Sequence, residues 1–335
     1  MKQFLSRLRG PALALLAAFG GLASPAAFGG FASTASAAEL TVAHSTWVGY
    51  GPLYIAKEKG FFKDEGLDVK LVLMEDVKTR MPALTAGRID VAVTTVDAVL
   101  GFTSADRPLT YLFAVDDSRG GDGIVANKAI KDIAGLKGKK VAFTEGSVSQ
   151  FFLSVLLKDA GLSVKDVEAL NMTAGDAGAA FVAGKVDAAV TWEPWLSRGK
   201  ATSHGALLVD SSAKPGLITD VMVTTKAKLE ARRPEMVALY RAWSKAVDWQ
   251  KTHAKEADAI MAKGVGGWLE DPAVFAETRA GIAFYDSAMN AAFMDPAKPD
   301  GIVATIANAR TLGEAAGLFK LDADPAAMVA AGIVK

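Results

Sequence analysis

The 335-residue sequence contains no cysteine and only three histidines, His44, His204 and His253. Disulfides, thiolate catalysis and cysteine-based metal sites are excluded, and three scattered histidines do not make the three- or four-ligand set of a typical zinc site. Neither a G-x-S-x-G elbow nor an H-E-x-x-H helix occurs, so acid–base and nucleophilic equipment is sparse and we expect no enzyme activity, no cofactor and no metal. The formal net charge is zero, which argues against a nucleic-acid partner.

Long hydrophobic runs are scarce too. Lys2, Arg7 and Arg9 precede an apolar stretch and then a Gly-, Ala- and Ser-rich segment. The uninterrupted apolar part is about ten residues, against the roughly 20 of a bilayer span. That layout is a secretory signal peptide, with Ala35 and Ala37 supplying an A-x-A site and cleavage expected after Ala37, or otherwise between Ala38 and Glu39. A lipid anchor would need a cysteine there. Removing three positive charges and no negative one leaves the exported chain at −3, a soluble periplasmic protein.

In the remainder, short apolar runs at 40–43, 69–74, 89–94 and 111–115 read as strands, with helices at 51–59 and 81–86. Alternation at this spacing implies parallel sheets flanked by helices. Residues 86–94 (AGRIDVAVT) match 183–191 (AGKVDAAVT) at an offset of 97, and 42–45 echo 141–144 at an offset of 99. Two copies are too few for a solenoid; they indicate two similar α/β units. Ligands of open parallel sheets sit beyond the strands' carboxyl ends, so two facing sheets make a cleft lined by strand-end loops. Amphipathic helices are expected at 234–252, 256–263, 271–281 and 299–317, with chain crossings near 120–126 and 216–223 acting as a hinge.

The run Gly51-Pro52-Leu53-Tyr54-Ile55-Ala56-Lys57-Glu58-Lys59-Gly60-Phe61-Phe62, then Gly66-Leu67-Asp68-Val69, the two Ala-Gly-basic-x-Asp segments, residues 132–141 and Trp192-Glu193-Pro194-Trp195 carry a resemblance. Over most of the exported chain the sequence resembles the nitrate/sulfonate/taurine family of ABC-transporter solute-binding proteins, which is related to the pyrimidine-precursor binders of thiamine synthesis. The resemblance implies a type II periplasmic-binding fold of two Rossmann-like lobes, a small-molecule ligand, an inner-membrane permease with its ATPase as partner, and no catalysis. The expected division is a signal peptide at 1–37, a first lobe at 38–122 plus 221–335, and a second at 123–220, in a monomer.

Candidate ligand residues follow from the strand ends. The loop after the first strand offers His44, Ser45, Trp47 and Tyr50; the rings either form a stacking wall or cover the core. His44 either meets a ligand oxygen or serves as an ordinary strand-end residue. The equivalent loop holds Glu145, Ser147 and Ser149 before an apolar run, a helix N-terminus that can receive an acid oxygen or is simply capped by serine. Thr95 with Asp97, and Trp192 with Glu193 and Trp195, emerge at the paired strand ends. An aromatic beside a carboxylate holds an amine or amidine; alternatively Glu193 caps within its lobe and Trp195 packs under the next helix. Asp122 and Asp220 lie at the crossings, no lysine occupies these loops, and Arg119 is the only arginine near them. An amine-bearing, taurine- or sulfonate-like solute is therefore expected, with pyrimidine, guanidinium or nitrate as alternatives, and ligand sensing for a membrane receptor as the alternative role.

Overall fold

Two sheets are built in an interrupted order. In the computed structural model, which describes residues 37–321 and 323–334, the chain lays down β1 (Ala38–His44), β2 (Leu67–Leu73), β3 (Val91–Thr95) and β4 (Leu109–Ser118). It then crosses to form β5 (Asp122–Asn127), β6 (Lys140–Phe143), β7 (Glu168–Asn171), β8 (Ala188–Trp192) and β9 (Gly205–Asp210), and returns with β10 (Thr219–Thr225) and β11 (Ile282–Phe284). The first sheet has the order β11-β4-β10-β3-β1-β2 and the second β7-β6-β8-β5-β9. Apart from Ala37, the expected signal peptide lies outside the described residues. No helix among them is long and apolar enough to cross a membrane.

The sheets repeat one another. β1 runs parallel to β2 and β3, with β10 antiparallel beyond β3. β6 runs parallel to β7 and β8, with β5 antiparallel beyond β8. The sequence repeat has a physical reason at each position. Gly87 and Gly184 both take positive φ, 73° and 70°, closing the helices Val77–Thr85 and Ala174–Val182. The following basic residue donates its N–H back into the helix, Arg88 to Ala83 O and Lys185 to Ala180 O, each at 2.9 Å, the left-handed C-cap for which glycine is suited. The aspartate then fixes the neighbouring strand: Asp90 Oδ2 accepts from Thr41 N at 2.7 Å and Asp187 Oδ2 from Lys140 N at 2.9 Å. The apolar residues that follow enter central strands; β3 is buried throughout, as parallel strands covered on both faces require.

The long helix Arg233–Thr252 buries Met236, Leu239, Tyr240, Trp243 and Val247 at three- and four-residue spacing. It covers the first sheet beside Pro52–Glu58, with Tyr240 and Trp243 against Phe113. The chain passes between the sheets twice, between Ser118 and Asp122 and between Asp210 and Thr219. These passages are tied together: the Ser118 and Ser211 hydroxyls pair at 2.8 Å, and Gly120 N donates to Ser211 Oγ at 2.7 Å.

Candidate functional site

The carboxyl ends of β1 and β3 face those of β6 and β8 across a cavity with about 640 Å³ of empty space, part of it open to solvent. Its walls include Ser45, Trp47, Tyr50 and Thr95 from the first sheet, Ser147 and Trp192 from the second, and Asp122 and Asp220 from the crossings. Trp47 and Trp192 meet edge to face with ring centroids 6.0 Å apart. Trp47 Nε1 donates to both oxygens of Asp116 at 3.2 Å, and the Tyr50 hydroxyl donates to Asp220. Both rings are therefore buried and oriented by carboxylates behind them while still bordering the cavity.

The carboxyls are held away from their usual ionisation. Burial pushes Asp122 up to about 7, with Asp97 adding repulsion and the Ser118 hydroxyl opposing it. Asp220 is raised by burial and by Asp122 and Asp97, with its Tyr50 hydrogen bond acting the other way. Asp116 is raised by burial first and Asp220 second.

Arg80 overturns the expectation that no basic side chain serves this cleft. It is only 4% exposed and lines the cavity with Glu75. Nη1 donates to Met74 O and Glu75 O, whereas Nε has no hydrogen-bond partner among the described residues. Burial lowers its pKa, opposed by Tyr50, Glu75 and Asp220, yet a guanidinium stays charged in proteins. The helix bearing it runs Val77–Thr85; a start at residue 81 left Arg80 in a presumed loop. The indole N–H groups of Trp192 and Trp268, both cavity-lining residues, likewise have no hydrogen-bond partner among the described residues. Trp268 comes from the short turn Gly267–Leu269, which hydrophobic periodicity cannot resolve.

Two helix N-termini complete the wall. Ser147 caps Val148–Asp159 by accepting from Ser149 N at 3.2 Å, and Thr173 caps Ala174–Val182 by accepting from Asp176 N at 3.3 Å. Their first residues Val148, Ala174 and Gly175 line the cavity, so the positive ends of both helix dipoles act on it.

The remaining candidates lie elsewhere. His44 is fully buried, its ring nitrogens engaged by Ser45 O and the Tyr54 hydroxyl, and burial lowers its pKa. Glu145 pairs with Lys78 at 3.1 Å, each side chain about half exposed. Ser149 is buried in the first helical turn. Glu193 is not brought to the cavity: its oxygens accept from Ser197 N at 3.0 Å and Ser197 Oγ at 2.9 Å, so it caps the helix Trp195–Ala201. Trp195 packs edge-on to Trp268, and Arg198 covers its ring at 4.7 Å. The proposed amine clamp of Glu193 and Trp195 is thus not assembled, because both side chains are taken up beside the cleft. Asp97 lies in an adjoining crevice. Arg119 pairs with Asp117 and is largely exposed, as its neighbours in sequence suggest. Among the described residues no group of three or more His, Asp or Glu is placed to hold a metal ion.

Two facing α/β halves, each ending its central strands in a shared cavity, define the type II periplasmic-binding fold. The NMT1/THI5-like family model matches residues 47–257, and the chain belongs to that family. It is 34% identical over 213 residues to a putative aliphatic sulfonates-binding protein of Bacillus subtilis (strain 168), the match covering 62% of this chain and 64% of the relative. The aligned part is thus under two thirds of that relative's length. The structure superposes on the alkanesulfonate-binding protein SsuA of Xanthomonas axonopodis pv. citri, bound to MOPS, with a TM-score of 0.70 and 22% identity over 88% of this chain and 98% of the other. It superposes on the periplasmic nitrate-binding protein NrtA of Synechocystis PCC 6803 with a TM-score of 0.67 and 19% identity, covering 86% and 84%.

Proposed function

We propose that this chain is the extracytoplasmic solute-binding protein of an ABC importer, and that it captures a small organic acid, a sulfonate first, by closing two lobes around it. The observation that supports the reading is that one cavity is lined by residues with unpartnered donors among the described residues, Arg80, Trp192 and Trp268, and by two helix N-termini. Three acid oxygens are well served by such a set, since charge-assisted hydrogen bonds are roughly twice as strong as neutral ones. Asp122 and Asp220 border the same space and are the partners we assign to a ligand N–H or O–H. The sulfonate named for the Bacillus subtilis relative supports the same chemistry.

In this reading the first lobe is 38–122 plus 221–335, the second is 123–220, and the passages tied by Ser118 and Ser211 form the hinge. The lobes deliver ligand to a permease and its ATPase, and the protein carries out no reaction. His44 is already engaged on both ring nitrogens.

A thermal-shift screen of residues 38–335 tests this, using taurine, alkanesulfonates, nitrate, guanidinium, aminopyrimidines and aromatic acids. Ligand at about 100 times its Kd adds roughly 2.7 kcal/mol. We expect the organic acids to raise Tm, and Arg80→Gln to weaken their binding by about 10- to 100-fold, the loss of a charge-assisted contact. A rise with guanidinium or neutral pyrimidines alone, indifferent to Arg80, overturns the reading.

A further inference from the structure

Beside the main cavity lies a second space, a crevice with about 430 Å³ of empty volume including its opening. It is walled by Phe102 from the helix after β3, Gln150 and Phe151 from the helix after β6, and Phe319 from the C-terminal segment. Ser147 borders both spaces, so the crevice adjoins the ligand cavity rather than lying on a remote face. Among the described residues Asp97 is the only charged one in its wall. It is 4% exposed, and its Oδ1 has no hydrogen-bond partner among the described residues.

A buried carboxylate oxygen left unpaired is costly, more so when charged, and among the described residues no cation lines the crevice beside it. Burial pushes the Asp97 carboxyl up to about 6, with the Thr95 hydroxyl and the first amides of its own helix opposing that rise. Ionised, it shares the crevice wall with Phe102, Phe151 and Phe319, and aromatic faces attract cations as well as apolar surface. Gln150 Oε1 accepts from Gly146 N at 2.6 Å.

We propose that this crevice is a second subsite for the same ligand, taking an apolar, preferably aromatic, arm that ends in a protonated amine held by Asp97. The inference rests on the acid-binding reading of the main cavity, and it narrows the substrate class to acids bearing a cationic arm. Because the walls come from both halves of the molecule, an arm seated there touches both.

Calorimetry on residues 38–335 with a matched pair of probes tests it: 4-(aminomethyl)benzenesulfonate and 4-methylbenzenesulfonate, which differ only in the charged end. The amine should bind at least about tenfold more tightly, the gain from one charge-assisted contact. In Asp97→Asn the ratio of the two Kd values should fall to near one. Gly101→Leu should do the same by filling the crevice, since a Cβ at Gly101 meets only Phe319, at 3.9 Å; this variant keeps the test intact if Asp97→Asn fails to fold. If both probes bind the parent protein with a ratio near one, the subsite is refuted while the main-cavity reading stands. If neither binds, that reading falls, and benzylammonium alone decides the crevice: saturable binding abolished by Gly101→Leu supports it, and no binding refutes it.

Discussion

Asp122 opens β5 at 6% exposure, directly across from Trp192 in β8, and its carboxyl is held near 7 against an ordinary 3.8. Below pH 3.8 the folded and unfolded chains both keep this proton, and its contribution to stability is whole. Between about 4 and 7 the unfolded chain releases the proton and the folded chain does not, so stability falls with rising pH and levels off beyond 7. The ceiling on that loss is about 4 kcal/mol. Asp122→Asn, which cannot ionise, should therefore gain on the parent protein as pH rises, with a larger Tm difference at pH 8 than at pH 4.5 in ligand-free samples. An equal difference at both values would show that Asp122 ionises freely in the fold. Residues of this kind were only partly legible. Trp47 and Tyr50 follow a strand end that apolar patterning locates, and Asp122 and Asp220 stand at the starts of the strands by which the chain crosses, so their places are readable. Arg80 was not readable, because a basic residue in a helical first turn is usually solvated, whereas here it is buried and turned onto Met74 O and Glu75 O. Glu193 misled for the converse reason: its partner, Ser197, is four residues on, in the helix that Glu193 precedes, and local capping takes priority over a more distant role.

At the scale of elements, the repeat was the strongest signal in the sequence, since each of its positions does a separate physical task in cap, strand pairing and core. What it omits is how the helix behind β8 is fitted. In the helix Ala174–Val182, Gly178 lies so close to Trp195 that a Cβ would come within 2.5 Å of the Trp195 Cβ and Cγ. Its φ is not positive, so the glycine serves close packing here rather than backbone freedom. Gly178→Val should destabilise the protein by about 1–3 kcal/mol through overpacking, lowering Tm by several degrees in a thermal melt. An unchanged Tm would mean that the helix Trp195–Ala201 yields readily. The long helices after residue 233 were anticipated by their periodicity. The three-residue β11 and the turn carrying Trp268 were not, because elements that short show no period to read.

At the scale of the whole molecule, the two halves touch at the cavity mouth through contacts of unequal strength. Lys78 and Glu145 form an ion pair with both side chains about half exposed, and such pairs contribute about 0–1 kcal/mol. Trp268 instead packs on Trp195 at 6.1 Å, and a Cβ at Gly175 would lie 2.7 Å from its ring, so the indole rests on the N-terminus of the opposing helix. Burying an aromatic face of this size outweighs a screened ion pair. If ligand capture proceeds by closure, small-angle scattering of residues 38–335 should show a smaller radius of gyration with saturating ligand than without. Trp268→Ala should lessen that compaction and weaken binding by about tenfold or more, whereas Lys78→Ala should change Kd by no more than a few-fold, and less at high salt. Identical scattering with and without ligand would refute closure. Equal effects of the two substitutions would place the latch on the ion pair after all.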